Sequence, residues 1–381
     1  MRILITSPDV IVKSGEMADA LITALKDIRD SGVPVGVVSN HKEPSWFSGK
    51  FGDSKVQFLH QPNRQSGKII SENVKEKSLH PFDVLVLAGK IDDISMGKNG
   101  GAIIIAAGWS DVPAVRALGI AVKTPQELLE VVKLSSSWDG HWWYSASAAA
   151  YEIRALINLS GINQSQAQQD FAHKLTATVK KGGARLNALL TIIVRSLLMD
   201  GFDSEPKSNL LWGVYPSSKS KNNDNEILSD FTHRLRTAVS RAKLSKRGEP
   251  LFIRHTESSK RSAGSSTNRE DPSEQIETLH LNPFYKDNKR LVGKEVILVD
   301  DCTTYGVSFG VAAAFLKKAG AAKVTCIALG KFGNCLQAYD ILINSSPFEP
   351  VKQGDYVIKL VYSLAGTSDN SVQNSLLGLI K

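Results

Sequence analysis

Short apolar runs alternate with helix-spaced apolar residues through the first third of the chain. Arg2–Thr6 reads as a strand. Gly15–Ser31 carries Met17, Leu21, Leu25 and Ile28 at the three- and four-residue intervals of one helix face. Gly32 stops that helix, and Val33–Ser39 is the continuous apolar run of a strand buried on both faces. Val84–Ala88 and Ala102–Ala107 repeat the pattern, and helices are predicted over Pro113–Leu118 and Pro125–Leu134. Strands alternating with helices predict a doubly wound α/β sheet, here ending near Leu134.

The pattern then breaks. Ser135–Tyr144 holds three serines, Trp138 and the cluster Trp142-Trp143-Tyr144. It reads as a connector whose aromatics dock between domains, with an exposed base-stacking platform as the alternative. Helices are predicted over Ala146–Leu159 and Ser165–Lys180, which makes 135–180 a helical connector. A second α/β pattern begins at Lys181. Its helices are expected over Ala184–Met199, Ile227–Leu244 and Ser308–Ala319, and its strands over Asn209–Val214, Leu251–His255, Lys294–Val299 and Lys323–Leu329. The expected fold class is α/β, two doubly wound parallel-sheet domains over 1–134 and 181–381. Ser363–Lys381 gives little signal.

Composition changes this picture little. A length of 381 residues favours two cores. The apolar start is too short and too poorly flanked for a signal peptide, and no apolar stretch is long enough to cross a bilayer, so no membrane partner is expected. Cys302, Cys326 and Cys335 lack metal-ligand spacing and suit reduced, buried thiols in a cytoplasmic protein. The formal net charge of +8 favours anionic partners, and phosphorylated small molecules, nucleic acid or a merely basic surface all satisfy it.

The chemistry concentrates in Val296–Ser308: an apolar strand, Asp300 and Asp301, then Cys302-Thr303-Thr304-Tyr305-Gly306-Val307-Ser308 and a helix start. Such a loop leaves the carboxyl edge of a parallel sheet, where open α/β folds bind ligands. Backbone N–H groups at the new helix form an anion site, and Gly306 lets the backbone approach closely. Two adjacent carboxylates beside a phosphate cradle need hydroxyls or a metal to face. The segment resembles the 5-phosphoribosyl 1-diphosphate (PRPP) motif of type I phosphoribosyltransferases, with Thr303 where an aliphatic residue is usual and Tyr305 where a small hydroxyl residue is common. The resemblance implies that Asp300 and Asp301 hold the ribose 2- and 3-hydroxyls, directly or near Mg²⁺. It also implies that Thr303, Thr304, Gly306, Val307 and Ser308 hold the 5-phosphate.

Gly213–Ser220 resembles the diphosphate loop of the same family, with Ser217, Ser218 and Lys219 as contacts, although a plain surface turn reads the same way. Leu251–Arg254, followed by the polar stretch Thr256–Ser273, is similar to the competence-protein-type subgroup, in which a mobile loop covers the site and excludes water. Arg254, Lys260 and Arg261 then become candidate diphosphate contacts, with disordered surface over Ser258–Arg269 as the alternative.

In the first domain, Val37-Val38-Ser39-Asn40 and Gly89-Lys90-Ile91-Asp92-Asp93 resemble phosphate-contact and late acidic motifs of the haloacid dehalogenase-like fold. Lys68 is the candidate phosphate-contacting lysine beside Ser39 and Asn40. Ile3–Ile5 leads into Thr6-Ser7-Pro8-Asp9, so Ser7 falls where that family has its nucleophilic aspartate and no phosphoaspartate can form. The expectation is a degenerate, ligand-binding or regulatory domain joined to a PRPP-dependent transferase of unidentified acceptor. A sensor of PRPP or nucleotide, or a nucleic-acid-binding regulator, is the alternative. Self-association is compatible with either.

Overall fold

The computed structural model describes residues 1–13, 15–161, 164–183, 185–202, 210–240, 248–259 and 268–379. Two compact units divide the chain.

The first comprises Met1–Gly140 with Leu186–Glu205 and His233–Lys246. Its sheet contains β1 (Ile3–Thr6), β2 (Val35–Ser39), β3 (Gln57–His60), β4 (Val84–Ala88), β5 (Ile103–Ala107) and β6 (Ile120–Val122). The order is β3-β2-β1-β4-β5-β6, and every pairing is parallel. β1, β2, β4 and β5 are buried along their whole length, while edge strand β3 is not. The continuous apolar runs have this physical cause: a parallel sheet is covered on both faces.

Around the sheet lie α1 (Asp19–Asp30), α2 (Lys68–Glu76), α3 (Ile91–Gly100) and α4 (Pro125–Ser137). α1 buries Leu21, Ile22, Ala24, Leu25 and Ile28, the face that its spacing predicted; Met17 lies before it in a short strand. Ile3, Ile5, Val84, Val86, Ile94, Met96 and Ile104 share one core. The unit runs past Leu134, and Trp138 belongs to its core: the ring is 1% exposed, and its indole N–H donates to Ser196 Oγ at 3.0 Å.

The second unit comprises His141–Arg185, Pro206–Thr232 and Arg247–Lys381. Its main sheet contains β7 (Tyr144–Ser147), β8 (Glu152–Asn158), β9 (Leu210–Val214), β12 (Glu295–Thr303), β13 (Lys323–Lys331) and β16 (Gly366–Ser368). Between these in sequence lie two antiparallel pairs, β10 (Phe252–Arg254) with β11 (Leu279–Leu281) and β14 (Gln337–Ile343) with β15 (Tyr356–Ser363). The order is β9-β12-β13-β8-β7-β16. β9, β12, β13 and β8 run parallel, while β7 and β16 add an antiparallel edge.

Ala146–Leu159 is therefore not a helix. Its alanines favour one, but Ile153, Ala155, Leu156 and Ile157 are buried between the neighbouring strands β13 and β7. A short apolar run fits helix and strand equally, and tertiary pairing decides it. Helix is found at α5 (Gln166–Lys181), so 135–180 is only partly helical. Nor is the aromatic cluster an exposed platform, because Trp142, Trp143 and Tyr144 are all buried.

Of the later helices, α6 (Arg185–Met199) belongs to the first unit from Leu186 on and α7 (Ile227–Val239) from His233 on, while α8 (Val307–Lys318) and α9 (Asn370–Leu379) belong to the second. The predicted continuation of α7 falls at 241–244, outside the described residues.

Candidate functional site

β9 and β12 are neighbours in register, Val214 opposite Val299. The turn after β9 and the end of β12 therefore emerge together at the carboxyl edge of the second sheet. Tyr215 N–H donates to Val299 O at 3.0 Å and extends the ladder by one bond. This brings the predicted loops 215–219 and 300–308 side by side.

β12 runs further than predicted, through both acids to Thr303, with Asp300 opposite Ala328 and Thr303 opposite Lys331 on β13. The carboxylates thus sit on a paired strand and not in a free turn, which fixes their direction. Asp300 is 9% exposed. Its Oδ1 accepts from the Asp301 N–H at 2.8 Å, and its carboxylate accepts from the Ser308 hydroxyl. Burial, then the charge of Asp301, push the Asp300 carboxyl well above the usual range. Asp301 Oδ1 accepts from the Cys302 N–H at 2.6 Å. Among the described residues neither acid is in an ion pair.

Gly306 caps α8 with φ +82°, a left-handed conformation, and a Cβ there would come within 2.8 Å of Gln337 O. Any other residue would be both strained and in collision. α8 is buried over most of its length, so the loop rests on a rigid element. Thr303 is 4% exposed, and its Oγ1 has no hydrogen-bond partner among the described residues.

Of the cations assigned to the diphosphate, Arg254 and Lys219 fall among the described residues. Arg254 is 4% exposed and is a clamp on the first loop. Its Nε donates to Ser217 O at 2.8 Å and its Nη2 to Pro216 O at 3.3 Å. Gln275 Oε1 and Thr278 Oγ1 take further bonds at 2.9 and 2.8 Å. It therefore positions the Ser217–Ser218 turn from behind, where a guanidinium can satisfy buried carbonyls. Lys219 forms an exposed pair with Glu257 at 3.3 Å. Lys260 and Arg261 lie outside the described residues. A further cation reaches the loop: Arg269 Nη2 donates to Thr304 Oγ1 at 3.3 Å.

In the first unit, Ser7 follows β1 as predicted and is buried. Its Oγ donates to Asp93 Oδ2 at 3.0 Å. The same oxygen accepts the N–H groups of Gly89 and Lys90, at 2.9 and 3.0 Å. Asp93 Oδ1 lies 3.0 Å from Arg64 Nη2, which also meets Asp9 Oδ2 at 3.1 Å. Lys90 Nζ closes the network on Asp9 Oδ1 at 2.6 Å. Burial raises the Asp93 carboxyl against the opposing charge of Arg64. At Asp9 burial acts in the same direction, but bonds and charge from Lys90 and Arg64 outweigh it and hold the carboxyl below the usual range.

Lys68 is not part of this site; its side chain is 68% exposed and pairs with Glu72 at 3.4 Å. Ser39 Oγ accepts from the His41 N–H at 3.1 Å, and Asn40 Oδ1 accepts from the Arg64 N–H at 2.8 Å, so both organise the turn that delivers Arg64. A divalent cation does not fit here. Both oxygens of Asp9 and both of Asp93 already face cations or N–H donors, and Arg64 bridges the two acids. Beside the network a cavity of about 170 Å³ is lined by Asp9, Val10, Gly89, Lys90 and Trp109, among others.

No family model matches the chain. No curated protein matches it either. Among solved structures it is similar to a protein described as a phosphoglycolate phosphatase from Lactobacillus delbrueckii subsp. bulgaricus, at 21% identity over 30% of this chain and with a TM-score of 0.26. The chain spans about half, 53%, of that protein's length. It is similar to the cobalt-bound deoxy-D-mannose-octulosonate 8-phosphate phosphatase of Haemophilus influenzae, at 13% identity over 35% of this chain and 86% of that one, TM-score 0.28. A third likeness is to a protein described as a HAD family hydrolase from Streptomyces avermitilis, at 16% identity over 30% of this chain and 71% of that one, TM-score 0.25. Among the described residues no helix is long and apolar enough to cross a membrane.

Proposed function

We propose that the second unit binds PRPP and transfers its phosphoribosyl group to an acceptor, while the first unit binds a ligand or regulates without chemistry of its own. The observation that carries this reading is the pair Asp300–Asp301 at the end of β12, followed by the Gly306-capped start of α8 and flanked by the Tyr215–Ser218 turn.

Each part has a job in that reaction. The bond between ribose C1 and the diphosphate oxygen breaks, and a bond from C1 to the acceptor forms. Positive charge develops on the ribose ring, and negative charge on the leaving diphosphate. Asp300 and Asp301 would accept from the 2- and 3-hydroxyls. Those donors favour the ionised Asp300 that burial disfavours, so ligand binding and Asp300 ionisation are linked. The backbone from Thr304 to Ser308 would hold the 5-phosphate at the α8 N-terminus. The Ser217–Ser218 turn, braced by Arg254, would present backbone N–H groups to the diphosphate. Two carboxylates outside any described ion pair suit indirect contact with Mg²⁺, which supplies charge neutralisation to the leaving group when bound.

Calorimetry with PRPP and Mg²⁺ on wild type and on the double variant Asp300→Asn/Asp301→Asn tests this. Binding by wild type and its loss in the variant are expected, with diphosphate release once the right acceptor is supplied from a panel of bases. A wild type that binds no PRPP sinks the reading. Binding without diphosphate release across the panel would instead favour a sensor.

A further inference from the structure

Tyr305 is the residue of the phosphate loop whose size its position does not explain. Its ring faces a cation: Arg269 Cζ lies 5.4 Å from the ring centroid, while Nη2 donates to Thr304 Oγ1 at 3.3 Å. The neighbouring backbone is tied to the same region. Glu270 O accepts from the Tyr339 hydroxyl at 3.0 Å, and Glu270 Oε2 accepts from the Gln337 side-chain amide at 2.9 Å. Gln337 N–H in turn donates to Tyr305 O at 3.0 Å. Strand β14 thus holds both the loop and the segment that carries Arg269. In the same loop Thr303 Oγ1 is buried without a hydrogen-bond partner among the described residues. Native proteins rarely leave such a hydroxyl unsatisfied unless a ligand or water meets it.

We infer that Arg269, held over the Tyr305 ring, is an anion-binding residue of this loop and meets the phosphate monoester of the ligand. The inference rests on the proposed PRPP reading and adds a residue to it. A phosphate dianion bound beside Asp300 and Asp301 meets their repulsion, and a guanidinium offsets that charge with paired N–H donors. The aromatic face attracts the cation and restricts its orientation before the ligand arrives, which reduces the ordering cost of binding. A small hydroxyl residue at 305 could offer no such platform. The departure of Tyr305 from the resembled motif and the position of Arg269 therefore share one cause.

The test is calorimetry of the full chain with ribose 5-phosphate, and with PRPP plus Mg²⁺, on wild type, Arg269→Gln, Tyr305→Leu and Tyr305→Phe. Loss of one charge-assisted contact predicts weaker ribose 5-phosphate binding in Arg269→Gln, by about ten-fold or more. Tyr305→Leu should lose several-fold, and Tyr305→Phe, which keeps the ring, should stay close to wild type. If wild type binds PRPP but Arg269→Gln retains wild-type affinity for ribose 5-phosphate, the inference falls and the PRPP reading stands. Equal losses in Tyr305→Phe and Tyr305→Leu overturn the platform role. A wild type that binds neither compound removes both the inference and the reading beneath it.

Discussion

The guanidinium of Arg64 lies 3.0 Å from the carboxylate of Asp93 in the interior of the first unit, with Arg64 3% exposed and Asp93 fully buried. The same guanidinium donates to Val38 O at 2.9 Å and reaches Asp9. A positive charge of the protein's own thus stands between two carboxylates, and the Ser7 hydroxyl donates to one of them.

Arg64→Met is therefore expected to destabilise the protein by about 3–5 kcal/mol, because it leaves Asp93 buried and without its countercharge. Denaturant unfolding would measure it. Combining it with Asp93→Asn should recover part of the loss, since the two changes act on one network. Additive effects would mean that the pair does not interact.

Asp300 gives a prediction of opposite sign. Its carboxyl is raised in the folded protein by burial and by Asp301, so folding favours the protonated form. That contribution is present below the ordinary carboxylate range and is lost as pH rises through the folded value. Asp300→Asn should thus raise the melting temperature near pH 7.5 by about 2–5 °C, and the gain should shrink as pH falls towards 4. PRPP binding should be lost in the same variant. A melting temperature unchanged at every pH would argue against a strained carboxylate.

Lys98 is buried within the first unit and donates to Thr237 O and Ser240 O, near the carboxyl end of α7. Burial pulls its ammonium down to about 7. The unfolded chain takes up the proton nearer 10.5, so the stability that neutral Lys98 contributes is present above that value and is lost as pH falls towards 7. Unfolding free energy measured from pH 7 to 10 should rise more steeply in wild type than in Lys98→Met. Identical slopes would show that Lys98 keeps its proton on folding.

Much of the architecture was legible in the chain. The strands of the first sheet were visible as apolar runs because a sheet covered on both faces demands them. The β12–α8 loop was visible because acids, a glycine and hydroxyls follow a strand in a fixed order. β8 was not, since Ala155 and Leu156 suit a helix until β13 and β7 pair with the strand. The antiparallel edge strand β16 offered no pattern, being three small polar or glycine residues that are ordered by pairing with β7.

The sites divide along the same line. The sequence by itself determined which residues could do chemistry, because carboxylates, hydroxyls and glycine adjacent to a strand end stay adjacent in any fold. Only the tertiary structure decided where the cations went. Arg64 reaches Asp93 from the turn before α2, while Lys68, four residues on, points to Glu72 at the surface. Arg254 turns back onto the carbonyls of Pro216 and Ser217, and Arg269 arrives at Tyr305 across 36 residues of chain. Long side chains place their charge far from their own backbone, and a linear pattern carries no record of which buried carboxylate or carbonyl must be satisfied.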